Sequence, residues 1–292
     1  MHNFRVNCDK ILEVLKGLGV QGESFLLQIR KPKLSDLGVI ALTLTAEYMS
    51  IDSEHQLFRV LPVDFHLLIE RTVYNRRKRR LFNHINLLRQ QLAVELGQGE
   101  NRFIVDSMPL EVCKLSRSGR SKICKETDYA QPDKGYCASQ KLYYYGYKLH
   151  AVCTAKGVFQ SLDISPASVH DLHYLKDISS QFSNCQILGD KGYLSAAYQL
   201  NLFESRQIKL EVSMRKNQNH YQKQPFTFSK SRKRIETLFS QLCDQFMIRR
   251  NYAKSFAGFK TRILSKVTTL TVIQFINQNL KRNINNIKIN IA

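Results

Sequence analysis

Two short apolar runs that each close on an aspartate constrain this chain more than anything else in it. Phe103-Ile104-Val105 runs into Asp106, and Ile187-Leu188-Gly189 runs into Asp190, 84 positions further on. Continuous apolar runs of this length mark strands buried on both faces, so helices must cover the sheet they belong to. Between them, Tyr143 to Thr154 reads as a strand, Ala155-Lys156-Gly157 turns it, and Val158 to Ile164 returns as its hairpin partner. A helix is expected from Ser168, with Asp171 completing a capping box, to about Ser179. A second covers about Ser195 to Ser205, and Lys209 to Met214 is a last short strand. A polar, mobile segment, Arg215 to Ser229, leads into a helix on which Ile235, Leu238, Phe239, Leu242 and Phe246 share one apolar stripe.

Strand, strand, strand, helix, strand, helix, strand, helix is the order from residue 102, which makes an α/β chain with a mixed sheet flanked by helices. That is the element order of an RNase H-like fold. Upstream, residues 3 to about 97 read as helical, with apolar repeats at Phe4, Ile11, Leu12, Leu15 and Leu18 and again from Leu34 to Tyr48. Arg76, Arg77, Lys78, Arg79 and Arg80 open a longer helix that carries Leu81, Ile85, Leu88 and Leu92. Positive charge at a helix start opposes the helix dipole, which makes an external phosphate a natural partner; a solvated helix start accounts for the same residues. Lys114 to Lys141 is a long polar loop with Arg117, Arg120 and Lys122 at its centre, and loops of that length are functional or mobile. A helix follows from about Ala257 to Lys281, and the Asn-rich tail from Arg282 is expected to fray.

Charge narrows the partners. The chain carries 44 Lys and Arg against 24 Asp and Glu, a net of +20, and residues 201–292 supply 18 of those cations against 4 acids. Such an excess attracts a polyanion, nucleic acid or an anionic membrane surface. The longest apolar-leaning run, Val267 to Ile276, is far short of the roughly 20 residues a membrane span needs. Seven scattered cysteines show neither a C-x-x-C nor a zinc-ribbon spacing, so they read as free thiols in a reducing compartment, the cytoplasm.

Against that positive field the acids stand out. Asp106 and Asp190 both end apolar strands, and ligand sites of open α/β sheets lie beyond strand carboxyl ends. Glu236 sits at the margin of the apolar stripe, 46 positions after Asp190 and one turn after Arg232. Each has a structural alternative: an Asx turn before Pro109 for Asp106, a tight Asp190-Lys191-Gly192 turn, and a surface pair with Arg232 for Glu236. Brought together, three carboxylates repel unless cations intervene, and an oxygen-rich site of this kind suits Mg²⁺ or Mn²⁺. Two such ions about 3.5–4 Å apart stabilise both the attacking and the leaving oxygen of a phosphodiester displacement. Five tyrosines between 136 and 147 could stack on bases, though strand propensity explains most of them, and His150 reads as a packed strand residue.

Val105-Asp106-Ser107, Tyr145-Gly146-Tyr147-Lys148-Leu149-His150, Gly189-Asp190-Lys191-Gly192-Tyr193 and Arg232-x-x-x-Glu236, in that order, resemble the DDE transposases of bacterial insertion sequences. The resemblance runs from about residue 102 to 250. It implies a catalytic triad of Asp106, Asp190 and Glu236 that holds Mg²⁺ or Mn²⁺, with Lys191, Tyr193 and His150 around it. It also implies a helical DNA-binding region at 1–97, a catalytic domain at 98–255 with its basic insertion at 114–141, and a C-terminal helix and basic tail at 256–292. The expected partner is double-stranded DNA, as terminal inverted repeats and target, cut and joined by a homo-oligomer and without membrane involvement. Arg232 would orient Glu236 or contact phosphate, and Lys233 and Arg234 would grip DNA. Many relatives carry a Tyr three residues before that Arg and a Lys seven after the Glu, where this chain has Ser229 and Cys243. A non-catalytic DNA-binding scaffold and an RNase H-like structure-specific nuclease are the competing expectations.

Overall fold

A computed structural model describes residues 3–19, 22–214, 221, 225–288, 290 and 291. Of the polar segment expected over 215–229, residues 215–220 and 222–224 lie outside those described, and Phe226 onward is already helix. Two compact units divide the chain, Met1–Leu96 with Gln241–Ala292 and Gly97–Ser240. Among the described residues no helix is long and apolar enough to cross a membrane.

The first unit is helical. It holds α1 (Asn3–Gly17), α2 (Asp36–Tyr48), α3 (Glu54–Val60), α4 (Val63–Leu68), α5 (Arg71–Arg80) and α6 (Phe82–Leu96), and from the far end of the chain Phe256–Asn279. α2 is buried on every residue from Asp36 to Glu47, and Phe256–Asn279 is buried on most of its length. A helix buried all round belongs in a core, and its polar residues must then find partners inside the protein. Hydroxyls of the long helix bond back to the preceding turn, as Ser265 Oγ does to Thr261 O at 2.8 Å and Thr271 Oγ1 to Val267 O at 3.0 Å. Lys266 donates to Glu47, which Arg262 also approaches at 3.7 Å.

Two expectations for this unit change. The basic run 76–80 ends α5 instead of opening a helix, so its cations complement the dipole they were expected to oppose. The described part of the Asn-rich tail is tied down: Asn277 Nδ2 donates to Asn286 O at 2.9 Å, Gln241 Nε2 to Asn285 O at 3.0 Å, and Ile287 and Ile291 are buried. Side-chain amides of Asn277 and Gln241 supply the pairing that a short, irregular segment cannot make with its own backbone.

The second unit is a six-stranded sheet built from β1 (Arg102–Cys113), β2 (Asp133–Cys137), β3 (Leu142–Thr154), β4 (Phe159–Pro166), β5 (Cys185–Gly189) and β6 (Ile208–Val212). The order is β2-β3-β1-β5-β6, with β4 also paired to β3. β1, β3 and β4 are antiparallel, while β1, β5 and β6 run parallel. α7 (Tyr174–Gln181) and α8 (Ala196–Arg206) cover one face, where Val105, Val152, Tyr174, Ile178, Ile187, Tyr193 and Leu202 share a core. α9 (Phe226–Asp244) lies on the other, with Phe239 stacked on Phe159 at 6.1 Å; the long C-terminal helix is α10. This mixed sheet with helices on both faces is an RNase H-like α/β fold, as the element order predicted.

The basic insertion is more ordered than its composition suggests. It forms two short 3₁₀ turns, 115–120 and 128–130, and then the unexpected strand β2. Buried Cys124 and Ala130 anchor it, and the Tyr147 hydroxyl donates to Ala130 O at 2.7 Å. All seven cysteines are free thiols.

Candidate active site

Strand register brings the two aspartates together. The parallel ladder between β1 and β5 ends at Ile104↔Leu188, and Asp106 and Asp190 each lie two residues beyond that pair. Side chains alternate faces along a strand, so both acids continue the face of Ile104 and Leu188, side by side at the carboxyl end of the parallel pair. Asp106 does not end its strand, as the sequence suggested. β1 continues to Cys113 along β3, and only its pairing with β5 stops. Asp190 is the extended residue before the 3₁₀ turn Lys191–Tyr193, and its Oδ1 accepts from Gly192 N at 2.7 Å. Asp106 Oδ1 accepts from Ser107 N at 2.8 Å. Backbone N–H groups thus hold one oxygen of each carboxylate and fix the direction of the other.

α9 lies over the same face and contributes Arg232 and Glu236, one turn apart. Arg232 Nη2 stands 3.4 Å from Asp106 Oδ2 and 4.0 Å from Glu236 Oε1, so the guanidinium lies between the first and third acids. It leans toward Asp106. The Arg232 Nε is buried without a hydrogen-bond partner, and the Glu236 side chain is 57% exposed.

The electrostatics are unusual for an aspartate beside an arginine. Burial drives the Asp106 pKa up to about 7; Arg232 opposes that, and the charges of Asp190 and Glu236 add to it. A carboxyl that keeps its proton near neutrality, flanked by two other acids, is short of positive charge. Among the described residues no group of three or more His, Cys, Asp or Glu side chains is drawn together closely enough to hold a metal ion. The donor chemistry nevertheless fits a hard divalent cation: oxygen ligands only, two of them aligned by register, and a raised pKa that a nearby 2+ charge would lower.

The family model described as "Transposase DDE domain" matches residues 97–272. The chain belongs to that family. Among curated proteins the comparison finds no match. The match spans the whole sheet and α9, the elements that carry Asp106, Asp190 and Glu236.

The other residues singled out in the sequence divide sharply. Tyr193 is fully buried beneath the Asp190 turn and His150 is buried on β3, whereas Lys191 is exposed. Lys233, Arg117, Arg120 and Lys122 are exposed, and Arg234 is half-buried. In the basic run, Arg76, Arg79 and Arg80 are exposed, but Arg77 is buried against Asp36 at 2.6 Å and Lys78 against Glu54 at 2.6 Å. Arg77 and Lys78 therefore serve the helical core and are withdrawn from any phosphate-binding surface. Of the five tyrosines, 144, 145 and 147 are buried. Tyr136 and Tyr143 are exposed on the β2–β3 hairpin with ring centres 4.9 Å apart and Lys134 4.6 Å over Tyr143.

One acid was missed. Asp171 is not part of a capping box, because α7 begins only at Tyr174 and a 3₁₀ turn precedes it. Its Oδ1 accepts from Lys148 Nζ at 3.1 Å and Ser107 Oγ at 3.3 Å. The Ser168-x-x-Asp171 spacing hid it, since local pattern offered a sufficient use for the carboxylate.

Proposed function

We propose that this chain is an insertion-sequence transposase that binds the terminal repeats of its element, cleaves DNA strands there and transfers them to a target. One observation carries the reading: Asp106 and Asp190 each lie two residues beyond the last pair of the parallel β1–β5 ladder, under the helix that carries Glu236. Asp106, Asp190 and Glu236 would hold two Mg²⁺ or Mn²⁺ ions, which when bound polarise the phosphodiester and stabilise attacking and leaving oxygens. The chain's own residues do the rest. The Gly192 and Ser107 amides orient one oxygen of each aspartate. Asp106 must lose its proton to serve as a ligand, which its pKa of about 7 allows at neutral pH once positive charge is near. Arg232 offsets the repulsion among the acids from its place between Asp106 and Glu236.

Exposed cations supply the grip on the duplex backbone: Arg117, Arg120 and Lys122 in the insertion, Lys233 on α9, and Arg76, Arg79 and Arg80 at the end of α5. On this reading residues 1–97 bind element ends, 98–255 catalyse, 256–292 complete the DNA grip, and the working unit is a homo-oligomer on DNA in the cytoplasm. The second reading, a DNA-binding protein without catalysis on the same scaffold, draws support from Arg232 lying against Asp106, where a cation would sit. Incubating the protein with DNA that carries the element's own ends, with and without Mg²⁺, decides between them. Mg²⁺-dependent nicking supports the catalytic reading, and joining of the cut end to a second duplex separates a transposase from a nuclease. Tight binding with no nicking in either Mg²⁺ or Mn²⁺ overturns it.

A further inference from the structure

Asp171 lies on the side of the sheet opposite Arg232 and Glu236. Ser107 follows Asp106 on β1 and so points to the other face, where it pairs in register with His150. Asp171 reaches that face from the turn before α7. Its Oδ1 takes hydrogen bonds from Ser107 Oγ and from Lys148 Nζ, which also donates to Val169 O at 2.8 Å. The pair is mostly buried, with side-chain exposures of 16% for Lys148 and 22% for Asp171.

The other oxygen of Asp171 faces the Asp190 turn. A Cβ on Gly192 would stand 3.1 Å from Asp171 Oδ2 and 2.9 Å from Asp190 Oδ1, so both carboxylates close on the place a side chain there would need. Gly192 is the residue whose N–H holds Asp190 Oδ1. Two further polar atoms border the same place. The Tyr193 hydroxyl is fully buried without a hydrogen-bond partner, in the electrostatic reach of Asp171, Asp106 and Asp190. His150 Nδ1, on a ring that is 1% exposed, is likewise unpartnered and 3.9 Å from Asp171 Oδ1, while its Nε2 bonds Ser165 Oγ at 2.7 Å.

We infer that Asp171 is a positioning residue of the acidic site, which sets the Asp190 turn through Gly192 and the Asp106 segment through Ser107 so that both acids present their outer oxygens to a divalent cation. Lys148 keeps the arrangement neutral, so a fourth carboxylate adds no repulsion to the other three. An ordinary ion pair tying β3 to the turn before α7 would need neither the contact with Ser107 nor the close approach to Gly192. Residues that orient metal ligands from behind are worth about 10–100-fold in metal affinity. The inference rests on the proposed divalent-cation site at Asp106 and Asp190, and the test separates the two.

Mn²⁺ binding to the full chain without DNA, followed by the electron paramagnetic resonance signal of free Mn²⁺, is the readout. Asp171→Asn keeps the size and the acceptor oxygen but removes the charge. It is expected to weaken Mn²⁺ binding about tenfold while DNA affinity stays as in the wild type. Ser107→Ala removes one of the two links and is expected to weaken Mn²⁺ binding in the same direction by a smaller factor. A folded Asp171→Asn chain with wild-type Mn²⁺ affinity overturns the inference; should that variant fail to fold, wild-type affinity in Ser107→Ala does so. Asp106→Asn serves as the reference. If Asp106→Asn retains wild-type Mn²⁺ affinity, the triad assignment falls and the inference, which acts through Asp106, falls with it; loss of Mn²⁺ in Asp106→Asn with wild-type affinity in Asp171→Asn overturns the inference alone. A wild-type chain that binds no Mn²⁺ at millimolar concentration overturns both.

Discussion

Buried charge is handled in opposite ways in the two units. In the helical unit the buried carboxylates Asp36 and Glu47 and the partly buried Glu54 are each met by a cation. Asp36 receives Arg77 and the Phe25 and Leu26 amides, and these hold its carboxyl below the usual range although burial pushes the other way. Glu54 is likewise held down to about 2 by Lys78, against its own burial. In the sheet unit, burial takes Asp106 up to about 7, its arginine stands at 3.4 Å, and neighbouring polar atoms of Arg232, Tyr193 and His150 lack partners. Closed pairs hold a fold together, whereas open ones leave interaction energy for something that binds. The difference supports the proposal that the sheet's acidic end is the working part of the molecule.

The largest effect expected is on the open side. Asp106→Ala, Asp190→Ala and Glu236→Ala should each reduce Mg²⁺-dependent cleavage by at least about 10³-fold, because each removes a cation ligand worth several kcal/mol of charge stabilisation. Their affinity for DNA should not change. Wild-type cleavage by any one of them removes that residue from the site.

The closed side should answer with stability. Lys266→Met leaves Glu47 buried beside Arg262 alone, and Arg77→Ala leaves Asp36 buried; each should cost about 3–5 kcal/mol in denaturant unfolding. Arg79→Ala, exposed on the same helix, should cost within about 0.5 kcal/mol. Equal losses from Arg77 and Arg79 would dissolve the contrast drawn here.

A pH titration of stability sharpens it further. The native state keeps a proton on Asp106 up to about pH 7, above the ordinary carboxylate range, so folding binds a proton in that window. Stability contributed by this group must therefore fall as pH rises from about 4 to 7. Asp106→Asn should abolish that slope and make the chain more stable at pH 8, by on the order of 2 kcal/mol. Glu54→Gln should do the reverse: its depressed pKa contributes stability above the ordinary carboxylate range, lost as pH falls toward 2.

The smallest effect concerns the surface. DNA affinity should fall steeply with salt, and removing Arg117, Arg120 and Lys122 together should flatten the log–log slope by up to about 0.9 per lost phosphate contact. Arg77→Ala should leave the slope unchanged. A salt-insensitive affinity contradicts the polyanion reading entirely.

The apolar strand runs leading into Asp106 and Asp190, the hairpin between them, the α9 stripe and the placing of Glu236 one turn after Arg232 were all legible in the sequence. The reason is physical: periodicity and apolar runs report burial directly, and the local spacing of a helix fixes which side chains share a margin. Strand β2 was not legible, because its Asp133–Cys137 segment is polar, edge-paired and embedded in a basic loop. The fates of Arg77 and Arg79 were not legible either, since neighbours in a charge run differ only in which side of the helix meets Asp36. Only the tertiary structure decided that Asp106 and Asp190 each lie two residues beyond the last β1–β5 pair, that Arg232 lies nearer Asp106 than Glu236, and that Asp171 bonds Ser107 and Lys148. Those facts depend on contacts between residues up to 126 positions apart, and no local pattern encodes which strand will lie beside which.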